Sequence, residues 1–456
     1  MKVTKFGGSS LANGPQFQKV INIIKSDPDR RAIVVSAPGT RFKGDIKVTD
    51  LLIEYANQVI NHEDFSDTLN QIIDRYQEIG RSFHVDEQQI NQLVTQLNDL
   101  PNQSFPDTAH LMSTFKAQGE FMNAQMLTMI LNQLEIPAKF MDPKQIGFKV
   151  TGNVEDAQIN PATYENIRKF RDVKEKMVFP GFFGINDDNQ IATFSRGGSD
   201  ITGSIVARGL QADLYENFTD VNAIYSVDPR VVKNPKAIDV MTYREMRELS
   251  YAGFSVFHDE AIIPAIQVGI PINVKNTSAP DLPGTMIVPE NKFQPTRVIT
   301  GVASAKHFSA LYIHRYLLNK QVGFTLTILK ILYKYGVSYE HMPSGIDDLT
   351  IIFDKTQLND HIVKEITKEI KAALHPDQLR WINDYAIIMI VGEGMQSDNH
   401  TIEKIIRPLT DNEISIHMIN EGASKISVML GTDIKDSDKA VKLIYRNFFD
   451  NNRLIY

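Results

Sequence analysis

Over the first two thirds of the chain, short apolar runs alternate with segments of helical spacing. The apolar runs are Val3–Phe6, Ala32–Val35, Met177–Phe179, Asp213–Phe218 and Ile270–Val274. A short run of this kind is typical of a parallel strand buried on both faces, and a helix between two such strands forms a βαβ unit. The pattern predicts an α/β domain with a mainly parallel sheet and helices on both faces.

Two segments interrupt or end this alternation. Residues from about 50 to 135 have helical spacing and are mostly polar, which predicts a helical excursion beside the sheet. Prolines then cluster within residues 279–298, which predicts a linker. We therefore expect the first domain to comprise residues 1–297.

The last third of the chain contains an internal repeat. Residues 337–354 align without a gap with residues 414–431, at an offset of 77 residues (414 − 337). Each copy reads strand, helix, strand, strand, helix, which predicts two small α+β sandwiches over residues 298–378 and 379–456. No cluster of catalytic residue types accompanies them, so we expect binding or assembly modules. Their β-edges favour pairing between subunits, and we expect a homodimer.

Composition narrows the function classes. The 456 residues carry a net charge of −7, which gives no electrostatic reason to expect nucleic acid or an anionic membrane as partner. The absence of cysteine excludes disulfides, thiolate nucleophiles and zinc-thiolate sites. No apolar run approaches the roughly 18 residues of a membrane span, and the N-terminus begins a strand, so we expect a cytoplasmic protein.

The first apolar run leads directly into a glycine turn. Lys5 lies within the run, and Gly7, Gly8 and Ser9 follow it before a helix begins. Glycines let main-chain amides approach a phosphate closely, and a lysine beside them can neutralise charge on a transferred phosphoryl group. Plain turn chemistry produces the same letters, so this motif alone leaves both interpretations open.

Two further features come before the middle of the chain. Ser36 and Thr40 bound the segment S-A-P-G-T after the second apolar run, where ligands bind in parallel sheets. Glu120 precedes the apolar spacing of residues 121–134. At a helix start, such a glutamate is usually a surface residue favoured by the helix dipole.

The middle of the chain holds two longer motifs. In S-R-G-G-S-D, Arg196 can bind a carboxylate with two hydrogen bonds, and Asp200 can receive an ammonium group or a magnesium ion. In T-D-V-N-A-I-Y-S-V-D-P-R, a hydroxyl, a carboxylate, an aromatic ring and a cation suit a nucleotide. The residues concerned are Thr219, Asp220, Tyr225 and Arg230.

Together with V-V-S-A-P-G and F-P-G-F-F-G, these motifs resemble, in the same order, those of aspartate kinases, a family of the amino-acid-kinase fold. The resemblance covers essentially the whole chain, because that family ends in two ferredoxin-like ACT regulatory domains. It implies ATP-dependent, Mg²⁺-assisted phosphorylation of the side-chain carboxylate of L-aspartate to 4-phospho-L-aspartate. That reaction is the first step toward lysine, threonine and methionine.

The resemblance also implies residue roles. Lys5, Gly7, Gly8 and Asp200 match catalytic positions, and aspartate-binding positions are matched by Ser36, Thr40, Glu120, Arg196, Ser199 and Asp200. ATP-binding positions are matched by Lys5, Gly8, Ser9, Thr219, Asp220, Tyr225, Arg230, Ser255 and Val256. The chain departs from the family at Ser255, where a lysine or arginine usually stands, and Lys275 is our substitute for that cation.

Feedback regulation is implied by the ACT pair. In the first repeat, the effector-binding positions correspond to Gly323, Phe324, Ser338 and Glu340. Glu340 suits an ε-ammonium group, so we expect lysine rather than threonine as the effector. The second repeat has histidines at the positions of Gly323 and Glu340, so we expect the effector at the first.

Two alternatives stay open at this point. One is a kinase of the same fold that acts on glutamate, acetylglutamate, carbamate or a nucleoside monophosphate. The other is a catalytically silent amino-acid sensor on a kinase scaffold, although Lys5, Arg196 and Asp200 are all present.

Overall fold

The computed structural model describes residues 1–195, 197–254 and 259–450. The chain divides into two compact units. The first unit comprises Met1–Ile224, Ala237–Met246 and Ser255–Phe293, and the second comprises Tyr225–Lys236, Arg247–Phe254 and Gln294–Tyr456.

The elements up to residue 288 build mainly the first unit. The strands are β1 (Lys2–Phe6), β2 (Arg30–Val35), β3 (Ala138–Phe140), β4 (Val150–Asn153), β5 (Asp156–Ile159), β6 (Lys176–Pro180), β7 (Phe183–Ile185), β8 (Ile191–Thr193), β9 (Leu214–Thr219), β10 (Val240–Thr242), β11 (Ile272–Asn276) and β12 (Thr285–Val288). The helices are α1 (Gly14–Ser26), α2 (Val48–Ile60), α3 (Ser66–Arg81), α4 (Glu87–Asn98), α5 (Thr108–Gln133), α6 (Ala162–Arg168), α7 (Gly198–Leu210), α8 (Tyr243–Tyr251) and α9 (Ile263–Ile266).

Eight of the described strands form one sheet, in the order β10-β12-β11-β9-β1-β2-β6-β3. The strands from β11 to β3 are parallel, and β12 runs antiparallel to β11. Phe6 of β1 stacks on Phe218 of β9 with ring centroids 5.1 Å apart, within the core between the sheet and α1 to α5. The predicted mainly parallel sheet with helices is confirmed.

The helical excursion is real, but its last helix begins earlier than predicted. Residues 50–135 were expected to be helical, and α2 to α5 occupy that range. The predicted helix of residues 121–134 is only the second half of α5, which begins at Thr108 after its cap Asp107. The expectation of a helix start at Glu120 was wrong because polar residues on the buried side of α5 interrupt its apolar pattern.

The second unit contains the repeat. Its elements are β13 (Gly301–His314), α10 (Phe324–Lys334), β14 (Asp348–Asp354), α11 (Asp360–Leu374), β15 (Gln378–Val391), α12 (Thr401–Thr410), β16 (Ile416–Glu421), β17 (Ser427–Thr432) and α13 (Ile434–Tyr445). The first strands of the two copies begin 77 residues apart (378 − 301), and so do the first helices (401 − 324). The predicted repeat is confirmed.

The two copies share one sheet. Its described strands follow the order β14-β13-β15-β17-β16, and β13 pairs antiparallel with β15 over nearly its whole length. In place of the predicted strand Ser338–Pro343, the structure has an isolated bridge from His341 to β14 and a second one from Ser344, just beyond the predicted strand. The predicted α+β character of the two copies is confirmed, and pairing of their two first strands joins them edge to edge.

Within the described ranges, we find no helix that combines the length and the apolar character needed to cross a membrane.

Candidate active site

The opening strand brings Lys5 to a carboxylate at the start of a helix. Nζ of Lys5 lies 2.7 Å from Oδ1 of Asp200, which belongs to the first turn of α7. The two side chains are 10% and 17% exposed, so the pair is shielded without being closed off from solvent. Two residues predicted from separate motifs therefore meet in one ion pair.

Two glycines hold neighbouring strand-end loops against each other. The N–H of Gly39 donates to the carbonyl oxygen of Gly8 at 2.8 Å. A Cβ atom on Gly8 would lie 2.8 Å from the carbonyl oxygen of Ala37, so a larger residue requires the backbone to move. The N–H of Gly7 donates to the carbonyl oxygen of Phe218 at 3.2 Å, which ties the opening loop to β9.

Glu120 is buried on α5, contrary to the expectation of a surface residue. Its Oε2 atom has no hydrogen-bond partner in the part of the chain that the structure describes. Burial raises the pKa of the Glu120 carboxyl group to about 8, although the main chain of Ala37 and the charge of Lys5 partly oppose this. A buried carboxyl group with a free oxygen is suited to receive a cationic ligand group.

The loop after β2 packs on α5 beside Glu120. The Asn123 side chain donates from Nδ2 to the carbonyl oxygen of Ser36 at 2.7 Å. A Cβ atom on Gly119 would lie 2.6 Å from the Cβ atom of Ala37, so helix and loop are in close contact. Ser36 is half-buried in this contact, whereas Thr40 at the end of the loop is exposed.

A second close approach fixes the start of α7. Ser199 is buried there, and a Cβ atom on Gly181 would lie 2.7 Å from the Cβ atom of Ser199. The N–H of Phe182 donates to Oγ1 of Thr202 at 3.1 Å. The segment after β6 and the first turn of α7 therefore form one packed region next to Asp200.

The end of β9 carries two predicted nucleotide-binding residues. Oγ1 of Thr219 donates to Oδ1 of the exposed Asp220 at 3.2 Å. The N–H of Thr277 donates to the carbonyl oxygen of Thr219 at 3.0 Å, and its hydroxyl lies 2.6 Å from that of Ser10. The ends of β9 and β11 are thus linked to the opening loop, in which Ser9 is exposed.

For several predicted site residues, the structure gives no position beside the Lys5–Asp200 pair. Arg196, Ser255 and Val256 lie outside the described residues. Tyr225 and Arg230 belong to the second unit, where the exposed Arg230 pairs with Asp228 at 2.7 Å. Their predicted roles stay predictions.

Lys275, our substitute cation, lies on the other face of the sheet. In the register of β11 with β9 it is level with Phe218, whereas Asn217 faces Asp200. Successive residues of a strand point to opposite faces. Burial lowers the pKa of Lys275, and Arg30 lies among its charged neighbours. The structure therefore does not bring Lys275 to the Lys5–Asp200 pair.

Sequence reasoning missed three residues that shape this region. Asn217 donates from Nδ2 to Oδ1 of Asp200 at 2.6 Å. The buried Arg75 of α3 donates from Nη1 to the carbonyl oxygen of Gly39 at 2.8 Å and pairs with Asp45. The third residue is Gly39. Asn217 lies within an apolar strand and Arg75 within a polar helix, so neither belongs to a recognisable motif. Gly39 lies in the motif S-A-P-G-T, which is the one signal that could have identified it.

The predicted effector residues lie in the second unit. Gly323 precedes α10 with a φ of 84°, in the left-handed region that favours glycine, and Phe324 is buried. Ser338 hydrogen-bonds with Gln357 at 2.9 Å. The hydroxyl group of Tyr251 donates to Oε2 of Glu340 at 2.7 Å, so an effector at this carboxylate would have to share or displace Tyr251.

Magnesium fits the region as a partner of a nucleotide. Across the described ranges, no three His, Asp or Glu side chains are grouped to hold a metal ion. Mg²⁺ is commonly bound by one or two carboxylates together with substrate phosphates and water. Asp200 and Asp220 are single carboxylates at the start of α7 and the end of β9, which suits such binding.

Comparison with known proteins agrees with this fold. The model of the Amino acid kinase family matches residues 1–276, and an ACT domain model matches residues 388–448. The fold and the site therefore define an amino acid kinase that carries an ACT domain.

Individual relatives are more specific. Aspartokinase 3 of Bacillus subtilis is 43% identical over 449 residues, which cover 98% of this chain and 99% of that protein. The crystal structure of aspartate kinase from Clostridium acetobutylicum, an allosteric enzyme, matches with a TM-score of 0.87 and 39% identity, covering 98% of this chain and 100% of that one. The chain belongs to the aspartokinase family and is an aspartate kinase, a phosphotransferase with a carboxyl group as acceptor.

Two crystal structures of E. coli aspartokinase III share the fold. One, in complex with aspartate and ADP, has a TM-score of 0.77 and 21% identity, and covers 98% of this chain and 100% of that one. The other, in complex with lysine and aspartate, has a TM-score of 0.76 and 22% identity, with coverages of 98% and 99%.

Proposed function

We propose that the enzyme transfers the γ-phosphoryl group of ATP to the side-chain carboxylate of L-aspartate and forms 4-phospho-L-aspartate. The observation that carries this proposal is the Lys5–Asp200 ion pair beside the Gly8–Gly39 contact, with the buried Glu120 on α5. The aspartate and ADP bound to E. coli aspartokinase III support the choice of substrates. We place this reaction at the first step of lysine, threonine and methionine biosynthesis.

Residue roles follow from charge and position. Lys5 neutralises charge on the transferred phosphoryl group, to which the amide of Gly8 donates. The amide of Gly7 is bonded to Phe218, so Gly7 contributes to catalysis by shaping the turn. Glu120 receives the α-ammonium group of aspartate, and Arg196, on sequence grounds alone, receives its α-carboxylate. With the α-ammonium group held by Glu120 and the α-carboxylate by Arg196, the side-chain carboxylate of the substrate is left directed at ATP.

The remaining predicted residues complete the two substrate sites. Ser36, Thr40 and Ser199 contact aspartate in this proposal. The nucleotide is bound by Ser9, Thr219, Asp220, Tyr225, Arg230, Ser255 and Val256.

The reaction requires no general base. An aspartate side chain has a reference pKa of about 3.9, so it is already a carboxylate nucleophile at neutral pH. Catalysis then consists of positioning and neutralisation of charge. When bound with the nucleotide, Mg²⁺ supplies further positive charge, and Asp200 and Asp220 are the residues that would hold it.

An acceptor screen tests the proposal. Hydroxylamine converts an acyl phosphate into a hydroxamate, so the purified full chain is incubated with Mg-ATP and one acceptor at a time. We expect hydroxamate with L-aspartate and none with L-glutamate or N-acetylglutamate. Formation from another acceptor in preference to aspartate would contradict the proposed substrate.

We propose further that an amino acid, lysine rather than threonine, regulates the enzyme at Gly323, Phe324, Ser338 and Glu340. The half-buried Glu340 offers a carboxylate, and the left-handed Gly323 precedes the first turn of α10, whose end carries a partial positive charge. The lysine bound to E. coli aspartokinase III supports the choice of effector.

Calorimetric titration tests this regulation. Lysine is expected to bind the wild type more tightly than threonine, and Glu340→Gln should weaken lysine binding by about tenfold or more. Glu365→Gln on α11 is the matched control, because it removes the same charge elsewhere in the first repeat. Unchanged lysine affinity in Glu340→Gln would exclude the proposed contact.

We also propose a homodimer formed through the ACT domains, with domain boundaries at 1–297, 298–378 and 379–456. Large apolar side chains are exposed on the first repeat, which favours contact with a second copy. They are Tyr316, Leu317, Val322, Leu326, Tyr333 and Ile346. Sedimentation analysis of Val322→Asp is expected to show monomers where the wild type shows dimers, whereas Val268→Asp in the first unit should leave the dimer intact.

A further inference from the structure

Two donors from neighbouring strands converge on one oxygen of Asp200. Lys5 of β1 and Asn217 of β9 are direct partners in the parallel register, so their side chains leave the sheet at the same level and on the same face. Nζ of Lys5 lies 2.7 Å from Oδ1 of Asp200, and Nδ2 of Asn217 donates to the same atom at 2.6 Å.

β9 also holds the main chain of this turn. Tyr215, two residues before Asn217 and on the same face, donates from its hydroxyl group to the carbonyl oxygen of Asp200 at 3.2 Å. A Cβ atom on Gly203 would lie 2.5 Å from that hydroxyl oxygen, so the ring is tightly enclosed by α7. The first turn of α7 is therefore fixed at its main chain by Tyr215 and at its carboxylate by Asn217.

The two donors to Oδ1 differ in mobility. The Lys5 ammonium group ends a flexible four-carbon chain and has three donors that can turn toward another anion. The Asn217 amide is short and only 3% exposed, which leaves it little freedom to leave Asp200. If Lys5 alone held the carboxylate, Asp200 would lose its donor whenever Lys5 turned to a phosphate.

We propose that Asn217 is a positioning residue for phosphoryl transfer: it holds Asp200 in place so that Lys5 is free to serve the transferred phosphoryl group. This inference rests on the proposed role of Lys5. Asn217 itself acts through Asp200, and no contact with substrate is assigned to it.

A purely structural role makes a different prediction for two variants. Asn217→Asp keeps the shape of the side chain, and Asn217→Leu keeps its number of heavy atoms but has no polar atom. If Asn217 only fills space and satisfies a buried polar group, the near-isosteric aspartate should be the milder change. If the amide donor to Asp200 is what matters, the aspartate should be worse, because it places a second carboxylate against Oδ1.

The expected kinetics separate these roles. For Asn217→Leu we expect kcat to fall about tenfold, with the KM for aspartate within about twofold of wild type. For Asn217→Asp we expect kcat to fall about a hundredfold at about pH 8. As the pH is lowered to about 6, the kcat of Asn217→Asp should rise relative to that of Asn217→Leu. The reason is that the introduced carboxylate and Asp200 can then share a proton and hydrogen-bond with each other.

Asn273→Leu is the matched control. Asn273 lies on β11, next to β9, and pairs in register with Glu216 rather than with Asn217. Its kcat should stay within about twofold of wild type. All variants are measured as the full chain, with kcat normalised to the folded fraction from thermal unfolding. Asn217→Val, which also lacks a polar side-chain atom, replaces Asn217→Leu if the latter does not fold.

The outcomes distinguish this inference from the proposed function. Wild-type kcat in Asn217→Leu, or a kcat of Asn217→Asp at about pH 8 equal to or above that of Asn217→Leu, overturns the positioning role. Lys5→Met is measured in the same assay. If Lys5→Met loses activity and the Asn217 variants do not, the proposed role of Lys5 is retained and only the positioning role of Asn217 is rejected. Activity retained in Lys5→Met overturns the proposed role of Lys5, whereas the proposed function itself is overturned by the acceptor screen if another acceptor is preferred to aspartate.

Discussion

Two ion pairs on opposite faces of the same sheet differ in how they are built. On the α7 face, Lys5 and Asp200 meet through one contact and remain partly open to solvent. On the α1 face, Arg30 and Glu216 form two hydrogen bonds, of 2.6 and 2.9 Å, with side chains 8% and 3% exposed. Arg30 also donates to the carbonyl oxygen of Ile23.

The difference indicates what each pair does. A buried charge pair is stable when its geometry is bidentate and its remaining donors are satisfied, and such a pair has nothing left to offer a ligand. Lys5 lies next to the glycine loop and keeps donors available, so its charge can be redirected to a phosphate. The Arg30–Glu216 pair therefore holds the sheet to α1, and the Lys5–Asp200 pair belongs to the chemistry.

The largest expected effect is on the stability of the structural pair. Arg30→Met leaves Glu216 buried without its cation, which should lower the free energy of unfolding by about 3–5 kcal/mol. The kcat per folded molecule should remain within about twofold of wild type, because Arg30 lies on the face opposite Asp200. Urea unfolding and steady-state kinetics on the same preparation test the prediction, and a loss of kcat without a loss of stability would reverse the assignment.

Glu120→Gln tests the buried acid beside Lys5. Its charge in the complex is the proposed partner of the substrate ammonium group, so the KM for aspartate should rise about a hundredfold. Binding of an ammonium group favours the carboxylate, whereas the empty enzyme holds Glu120 protonated below a pKa of about 8. The wild-type KM should therefore fall as the pH rises from about 6.5 to about 8.5, and the variant should lack this trend.

The same carboxyl group makes stability depend on pH. The pKa of Glu120 in the folded protein is raised from 4.5 to about 8. The contribution of this carboxyl group to the free energy of unfolding is therefore fully present below pH 4.5 and is lost as the pH rises through 8. The free energy of unfolding of Glu120→Gln minus that of the wild type should therefore be more positive at about pH 8.5 than at about pH 5. Parallel pH dependence of unfolding in the two proteins would show that Glu120 is not perturbed.

A smaller effect is expected where only the backbone must adjust. Gly8→Ala places a Cβ atom 2.8 Å from the carbonyl oxygen of Ala37, which should separate the two loops by a few tenths of an ångström. We expect kcat to fall about tenfold with a small change in stability. Gly44→Ala is a control in the following loop, because nothing lies within 4 Å of the added Cβ atom, although a φ of 95° strains the backbone there. An equal loss of kcat in Gly44→Ala would show that the Gly8 contact is not the cause.

Much of this site could be predicted because it lies at the ends of strands. An apolar run followed by glycine fixes the position of Lys5, and the same reasoning places Asp200 at the start of α7. Glu120 was assigned to a helix end because its polar neighbours on α5 conceal a buried face. Asn217 could not be found from its own motif, since only the register of β1 with β9 places it level with Lys5.

The second unit shows the same limit at the level of the fold. The offset of 77 residues predicts two equivalent copies, and their elements follow it. A repeat does not specify which edges pair, so the continuous sheet through β13 and β15 could not be read from the alignment. Long-range pairing is a property of the folded chain rather than of either copy.

The most direct test of the central claim is the kcat of Lys5→Ala, measured by hydroxamate formation from aspartate and compared with Arg30→Met. We predict a loss of at least about a hundredfold in kcat for Lys5→Ala, with little change in the KM for aspartate or in stability, and the opposite pattern for Arg30→Met. Near wild-type turnover in Lys5→Ala would contradict the account.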